Sequence, residues 1–163
     1  MILIALGANL PKDGQLPIET LQLALERLRA RGVAVMAVSS FYETPAWPDP
    51  SDPPFINAVA MVRTALQPVD LLALLHEVET EFGRLRSSPN APRTLDLDLI
   101  DHDGRITHDG LVLPHPRAHA RAFVLVPLAE VAPDWRHPVT GQGAGDLLAV
   151  LPDADRACVK KLA

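Results

Sequence analysis

Asp96 and Asp98 stand two residues apart in Leu95-Asp96-Leu97-Asp98-Leu99-Ile100, directly after Pro92-Arg93-Thr94. Strict alternation of leucine with aspartate is the pattern of a strand buried on one face, and it sets both carboxylates on the other face, about 6.5–7 Å apart at the backbone. Carboxylates so placed can converge on one hard cation such as Mg²⁺ or bridge a pair. Arg93 adds a guanidinium fork that matches phosphate oxygens in a bidentate way. The chemistry these residues could do together is metal-assisted handling of phosphate. An edge strand with a solvated acidic face would carry the same residues, so the rest of the chain must discriminate.

Other candidates lie on both sides of this stretch. Arg84 and Arg86 precede it, and with Arg93 they could clamp a polyphosphate; solubilising loop arginines are the plain alternative. No Gly-x-x-x-x-Gly-Lys-Ser/Thr loop occurs, so arginines and metal would have to replace the usual backbone cradle. In Pro114-His115-Pro116-Arg117-x-His119-x-Arg121 the two histidines have a spacing that could ligate zinc on a helix. Prolines flank His115 and no third ligand is evident, so hydrogen bonding to phosphate or ribose suits His115 and Arg121 better. Asn57 interrupts an apolar run, where its amide could satisfy a heterocycle or, as a core amide, local backbone groups, and Phe55 and Phe123 could stack on a flat ring. Core packing predicts both phenylalanines equally well. His76, His102, His108 and His137 read as incidental.

These residues must be positioned by elements, and the chain reads as strand, helix, strand, strand, helix, strand. Residues 2–6 are an apolar strand that ends at Gly7-Ala8-Asn9-Leu10-Pro11. Leu21, Leu25 and Leu28 recur at helical spacing before Gly32. Val33 to Glu43 reads as one strand softened by Ser39 and Ser40, and the proline-rich stretch Pro45 to Pro54 as a loop joining it to a strand at Phe55–Arg63. Leu71, Leu72, Leu75, Val78 and Phe82 mark a second helix opened by Pro68. A possible hairpin over 106–113, an apolar segment Ala122–Val131 and a helical turn Asp146–Leu151 complete the chain. The order predicts an α+β, ferredoxin-like sandwich: a βαββαβ core, an antiparallel sheet with helices on one face, and C-terminal additions.

With 163 residues, 48% of them hydrophobic, the chain is sized for one domain over 1–163. A net charge of −5 argues against a general nucleic-acid binder. Of the 15 basic residues only Lys12, Lys160 and Lys161 are lysines, a bias that would suit oriented anion recognition and that genomic composition would explain equally well. The lone Cys158 excludes an internal disulfide, and no apolar run approaches membrane-spanning length, so a cytoplasmic, unprocessed chain without membrane partners is expected.

Taken together, Tyr42-Glu43-Thr44-Pro45, Phe55-Ile56-Asn57-Ala58, Gly83-Arg84-Leu85-Arg86, Pro92-Arg93-Thr94-Leu95-Asp96-Leu97-Asp98 and Pro114-His115-Pro116-Arg117 with Arg121-Ala122-Phe123 resemble the 6-hydroxymethyl-7,8-dihydropterin pyrophosphokinase family. The resemblance runs from Gly7 to about Pro133. It implies an ATP-dependent diphosphotransferase of folate biosynthesis that gives the pterin diphosphate and AMP. It further implies that Asp96 and Asp98 hold two Mg²⁺ ions, and that Arg84, Arg93 and Arg121 serve catalysis. Arg84, Arg86, Arg93, His115 and Arg121 would grip ATP, with Glu79 and Leu99 lining the nucleotide site. Thr44, Ala46, Phe55, Asn57 and Phe123 would form the pterin pocket, with ATP and the pterin as the partners of a monomer. The chain departs from the family at Ser87-Ser88-Pro89-Asn90-Ala91, where many relatives carry an Arg-Trp-Gly run, and at Ala46-Trp47, which replaces a common Pro-Leu or Pro-Val pair and could let Trp47 cover the pterin. Two other classes fit the residues alone: a non-catalytic ferredoxin-like ligand-binding module and a metal-dependent phosphohydrolase.

Overall fold

In a computed structural model, which describes residues 1–83 and 94–162, strand β1 (Ile2–Ala8) is buried along nearly its whole length. A strand apolar on both faces must be covered on both, and β1 is. It lies inside an antiparallel sheet between β4 (Phe55–Arg63) and β5 (Asp96–His102). Two short strands, β2 (Ala34–Val38) and β3 (Tyr42–Thr44), pair in succession along β4, and a two-residue strand β6 (Lys160–Lys161) closes on β3. Among the described residues the sheet order is β5-β1-β4-β3-β6, with β2 beside β3 on β4.

The single strand expected over Val33 to Glu43 is thus divided. The backbone leaves the ladder at Ser39–Phe41, and the hydroxyl of Ser39 stands in for a main-chain carbonyl by accepting the Val59 N–H at 3.0 Å, while the Ser39 N–H still donates to Val59 O. Counting β2 and β3 as one interrupted strand gives the expected βαββαβ order. Gly7, read as the start of a loop, lies within β1.

Helices α1 (Pro17–Ala30) and α2 (Pro68–Glu81) each start on a proline, whose fixed φ suits a first turn. Glu19 accepts the Leu16 N–H at 2.8 Å and so satisfies one exposed donor at the start of α1. Both helices lie on one face of the sheet: Leu21, Leu25 and Leu28 of α1 and Leu71, Leu75 and Val78 of α2 share a core with Ile4, Leu6, Leu97 and Leu99. Each such leucine contributes about 1.5–3 kcal/mol by leaving water.

The apolar segment after Arg121 forms α3 (Ala122–Val131) on the opposite face, where Val124, Leu125 and Leu128 cover Leu3, Val59 and Ile100. Pro127 inside it has no N–H for the carbonyl four residues back. Two short helices follow, α4 (Ala144–Ala149) and α5 (Asp153–Ala157). The register of β5 slips between Leu99, opposite Ile4, and Asp101, opposite Leu3, so Ile100 is an extra residue. That bulge places Asp101 on the α3 side, where its Oδ2 accepts the Trp135 indole N–H at 2.7 Å and its Oδ1 the Gly104 N–H at 2.8 Å. The hairpin expected over 106–113 reduces to one bridge between Thr107 and Leu113.

Candidate active site

The strand register builds the site. Asn57 of β4 lies opposite Gly7 of β1, and Gly7 lies opposite Asp96 of β5, so these residues form one row across the sheet. Phe55, Asn57 and Val59 alternate on the same face of β4, and Val59 packs under α3, so this is the face that α3 partly covers. Asp96 and Asp98 share that face because the leucines between and beside them are in the opposite core. Glycine in the centre of the row lets the amide approach the backbone closely: a Cβ at position 7 would stand 3.1 Å from Asn57 Oδ1.

Around Asn57 the residues expected at the heterocycle come together. Its buried side-chain amide donates to Thr44 Oγ1 at 2.9 Å, with the carbonyl oxygen against Gly7. Phe55 pairs with Thr44 across the strands, and Ala46 is buried close by in sequence. Phe123 is half-buried at the start of α3, with the Arg121 guanidinium carbon 5.5 Å from its ring centroid, within cation–π range. Trp47 is 71% exposed.

The acid side gathers a second group. His115 is tied to the outer edge of β5 by its N–H, which donates to Ile100 O at 2.9 Å, and its Nε2 lies 3.9 Å from Asp98 Oδ2. Burial pushes the imidazole down to about 4, and the positive charges of Arg121 and Arg117 outweigh the opposing pull of Asp96. His115 is therefore neutral near pH 7, and its contact with Asp98 joins a dipole to a carboxylate rather than two ions. Its Nδ1 accepts the Arg117 N–H at 3.1 Å, so the proton sits on Nε2, facing the acid.

Glu79 of α2 is 2% exposed and uses its carboxylate to accept the Leu97 N–H at 3.1 Å, so it anchors the strand carrying the acid pair. The Leu99 side chain points into the α1 and α2 core, on the other face from the acids, and the structure does not bring it to them. Arg84, Arg86, Arg93 and the Ser87–Ala91 stretch lie outside the described residues. Among the described residues, a surface cleft of about 450 Å³ between the Lys12–Gln15 turn, α1 and the end of α2 is lined by none of the expected site residues.

The donor set fits a hard divalent cation. The ligands offered are carboxylate oxygens, and among the described residues no cluster of three His, Cys, Asp or Glu side chains forms a protein cage. An ion that keeps water and takes substrate oxygens is the kind such an open pair would suit. Gly7 was not apparent from the sequence as part of the site, although glycine inside an apolar strand is a signal of close approach by something else. Nothing in the local sequence singles out Glu130 or Asp101.

A ferredoxin-like α+β sandwich that sets a carboxylate pair, a neutral histidine and an arginine on the same face as a buried amide has the frame of a phosphoryl-transfer enzyme. Comparison with known proteins specifies the class. Residues 3–133 match the family model of 7,8-dihydro-6-hydroxymethylpterin-pyrophosphokinase, and the chain belongs to that family. It is similar to the 2-amino-4-hydroxy-6-hydroxymethyldihydropteridine pyrophosphokinase of Pseudomonas aeruginosa, with 40% identity over 153 residues covering 93% of this chain and 91% of that one. The folic acid synthesis protein fol1 of Pneumocystis carinii is 35% identical over 155 residues; the match covers 94% of this chain but 20% of that protein. In fold the chain resembles the crystal structure of Plasmodium falciparum HPPK-DHPS with pteroate, at a TM-score of 0.69 and 13% identity, covering 91% of this chain and 41% of that one.

Proposed function

We propose that the chain transfers the pyrophosphoryl group of ATP to the hydroxymethyl oxygen of 6-hydroxymethyl-7,8-dihydropterin, releasing AMP in folate biosynthesis, with Asp96 and Asp98 as the ligands of a pair of Mg²⁺ ions. The observation that carries this reading is the row Asn57, Gly7, Asp96, which sets an amide suited to a polar ring and a carboxylate on one face of the sheet, two strands apart, with no side chain between them. Asn57, held by Thr44, meets the donors and acceptors of the ring, and Phe55 and Phe123 supply faces for stacking. Asp96 and Asp98 would hold the metal, which when bound would supply neutralisation of phosphate charge and orientation for in-line attack. Arg121 and the Nε2–H of neutral His115 bind phosphate oxygens beside the acids, and Arg84, Arg86 and Arg93 complete the grip on ATP. Glu79 contributes by fixing β5. Because the Leu97 N–H is turned away from β1 to Glu79, Leu99, two residues on, presents its own backbone groups at the same edge for the nucleotide base. Catalysis is positioning and electrostatics, with no covalent enzyme intermediate. In this reading the chain works as a cytoplasmic monomer on small molecules alone; among the described residues no helix is long and apolar enough to cross a membrane.

Incubation with ATP, Mg²⁺ and the pterin should yield AMP and the pterin diphosphate. Asp98→Asn should lower turnover by on the order of 10³-fold or more while the melting temperature stays near that of the parent chain. Orthophosphate released to water in place of pterin diphosphate would make the chain a phosphohydrolase. Turnover unaffected by Asp98→Asn would return the acid pair to a solvated face.

A further inference from the structure

Glu130, in the last turn of α3, reaches across to the sheet. Its Oε1 accepts both the N–H and the hydroxyl of Ser40 at 2.8 Å, and its Oε2 accepts the hydroxyl of Tyr42. Tyr42 begins β3, the strand that carries Thr44, and Thr44 is what fixes Asn57. Phe123 lies seven residues before Glu130 on the same helix, about two turns away. One carboxylate thus ties the helix bearing Phe123 to the strand bearing Thr44.

The same point is supported from outside. Strand β6 pairs Lys161 with Tyr42 and Lys160 with Glu43, and the Leu162 N–H donates to Phe41 O at 2.9 Å. Burial pushes the Glu130 carboxyl up, but the Tyr42 hydroxyl, Ser40 and the charge of Lys161 outweigh it and hold the group below its ordinary value. β3 has three residues and is held by β4, by β6 and by Glu130. The family-model match ends at residue 133, before β6.

We propose that Glu130 is a positioning residue for the pterin pocket, and that β6 supports it by bracing Tyr42. This rests on the pterin reading of the pocket. The test measures pterin binding by calorimetry, and the KM for pterin and for ATP, in the full chain, in Glu130→Ala, Glu130→Gln and Tyr42→Phe, and in a chain ending at Val159. Glu130→Ala and the shortened chain should weaken pterin binding and raise its KM by about tenfold, with the KM for ATP changed by less than about twofold. Glu130→Gln should recover much of the loss, since its amide oxygen still accepts from Ser40. Pterin affinity equal to the full chain in variants that melt normally would overturn the proposal, as would both KM values rising together. If Glu130→Ala does not fold, Tyr42→Phe, which keeps the ring and removes one hydroxyl, decides by the same readings. A full chain that binds pterin without turning it over would sink the activity and leave this comparison intact. A full chain that binds none would overturn both.

Discussion

Gly7 matters for the side chain it lacks. Gly7→Ala would set a methyl 3.1 Å from Asn57 Oδ1, so the amide must give way and its bond to Thr44 must loosen. Loss of one such hydrogen bond is worth about 1 kcal/mol, so the KM for pterin should rise by roughly five- to tenfold while the KM for ATP stays put; steady-state kinetics with each substrate varied in turn would show it. Tyr42 is the chain's single tyrosine, which makes its titration readable by ultraviolet absorbance. Burial first, then the hydrogen bond to Glu130 and its charge, push the phenol from 10.0 up to about 12. Between those values the unfolded chain releases a proton that the folded chain keeps, so the associated stability is complete below pH 10 and is lost as the pH rises toward 12. The native protein should give a tyrosinate midpoint near 12 and a melting temperature that falls across the same window. A native midpoint near 10 would mean that Tyr42 is neither buried nor held by Glu130.

At the scale of elements, two junctions decide whether the strands deliver their residues. The bulge in β5 turns Asp101 toward α3, where Trp135 donates to it in a buried setting. Trp135→Phe removes that donor and should cost about 1–3 kcal/mol in chemical denaturation, with turnover little changed because the acid pair lies upstream of the bulge. The second junction is the end of α2, whose last turn holds no basic residue of its own. Lys12 supplies the charge from the β1–α1 connection: its Nζ donates to Glu81 O at 3.4 Å and lies over Gly83, which has φ +79. A Cβ on Gly83 would stand 2.8 Å from that nitrogen. Gly83→Ala should therefore destabilise by about 1–2 kcal/mol, and adding Lys12→Ala should recover the part due to contact but not the part due to backbone strain. Urea denaturation of Gly83→Ala, of Lys12→Ala and of the double variant separates the two.

Across the whole molecule, the alternation of Leu95, Leu97 and Leu99 with Asp96 and Asp98 was legible because a strand has a fixed period of two, and that period alone assigns the faces. The helices were legible for the same reason at their own period. Gly7 was not, because its role depends on which strands flank β1, and register between distant strands is not a local property. Nor was the split between β2 and β3, where one hydroxyl at Ser39 substitutes for a backbone group. The segment after Arg121 showed only that it was apolar; its helical form and its place over Leu3 and Val59 follow from a sheet whose second face also had to be covered. Glu130 looked like any surface carboxylate until the fold brought Ser40 and Tyr42 to it.

The row Asn57, Gly7, Asp96 also acts as a ruler. Adjacent strands in a sheet are held about 4.8 Å apart by their hydrogen bonds, so the backbones bearing the amide and the carboxylate are separated by about 9.6 Å and cannot adapt to a longer molecule. A pterin whose hydroxyl sits on a two-carbon arm should bind with nearly the affinity of the one-carbon substrate and yet react on the order of 10²-fold more slowly, because its oxygen overshoots the position set by the sheet. Comparing Kd and kcat for the two arms would measure how strictly a β-sheet can grade the length of a substrate.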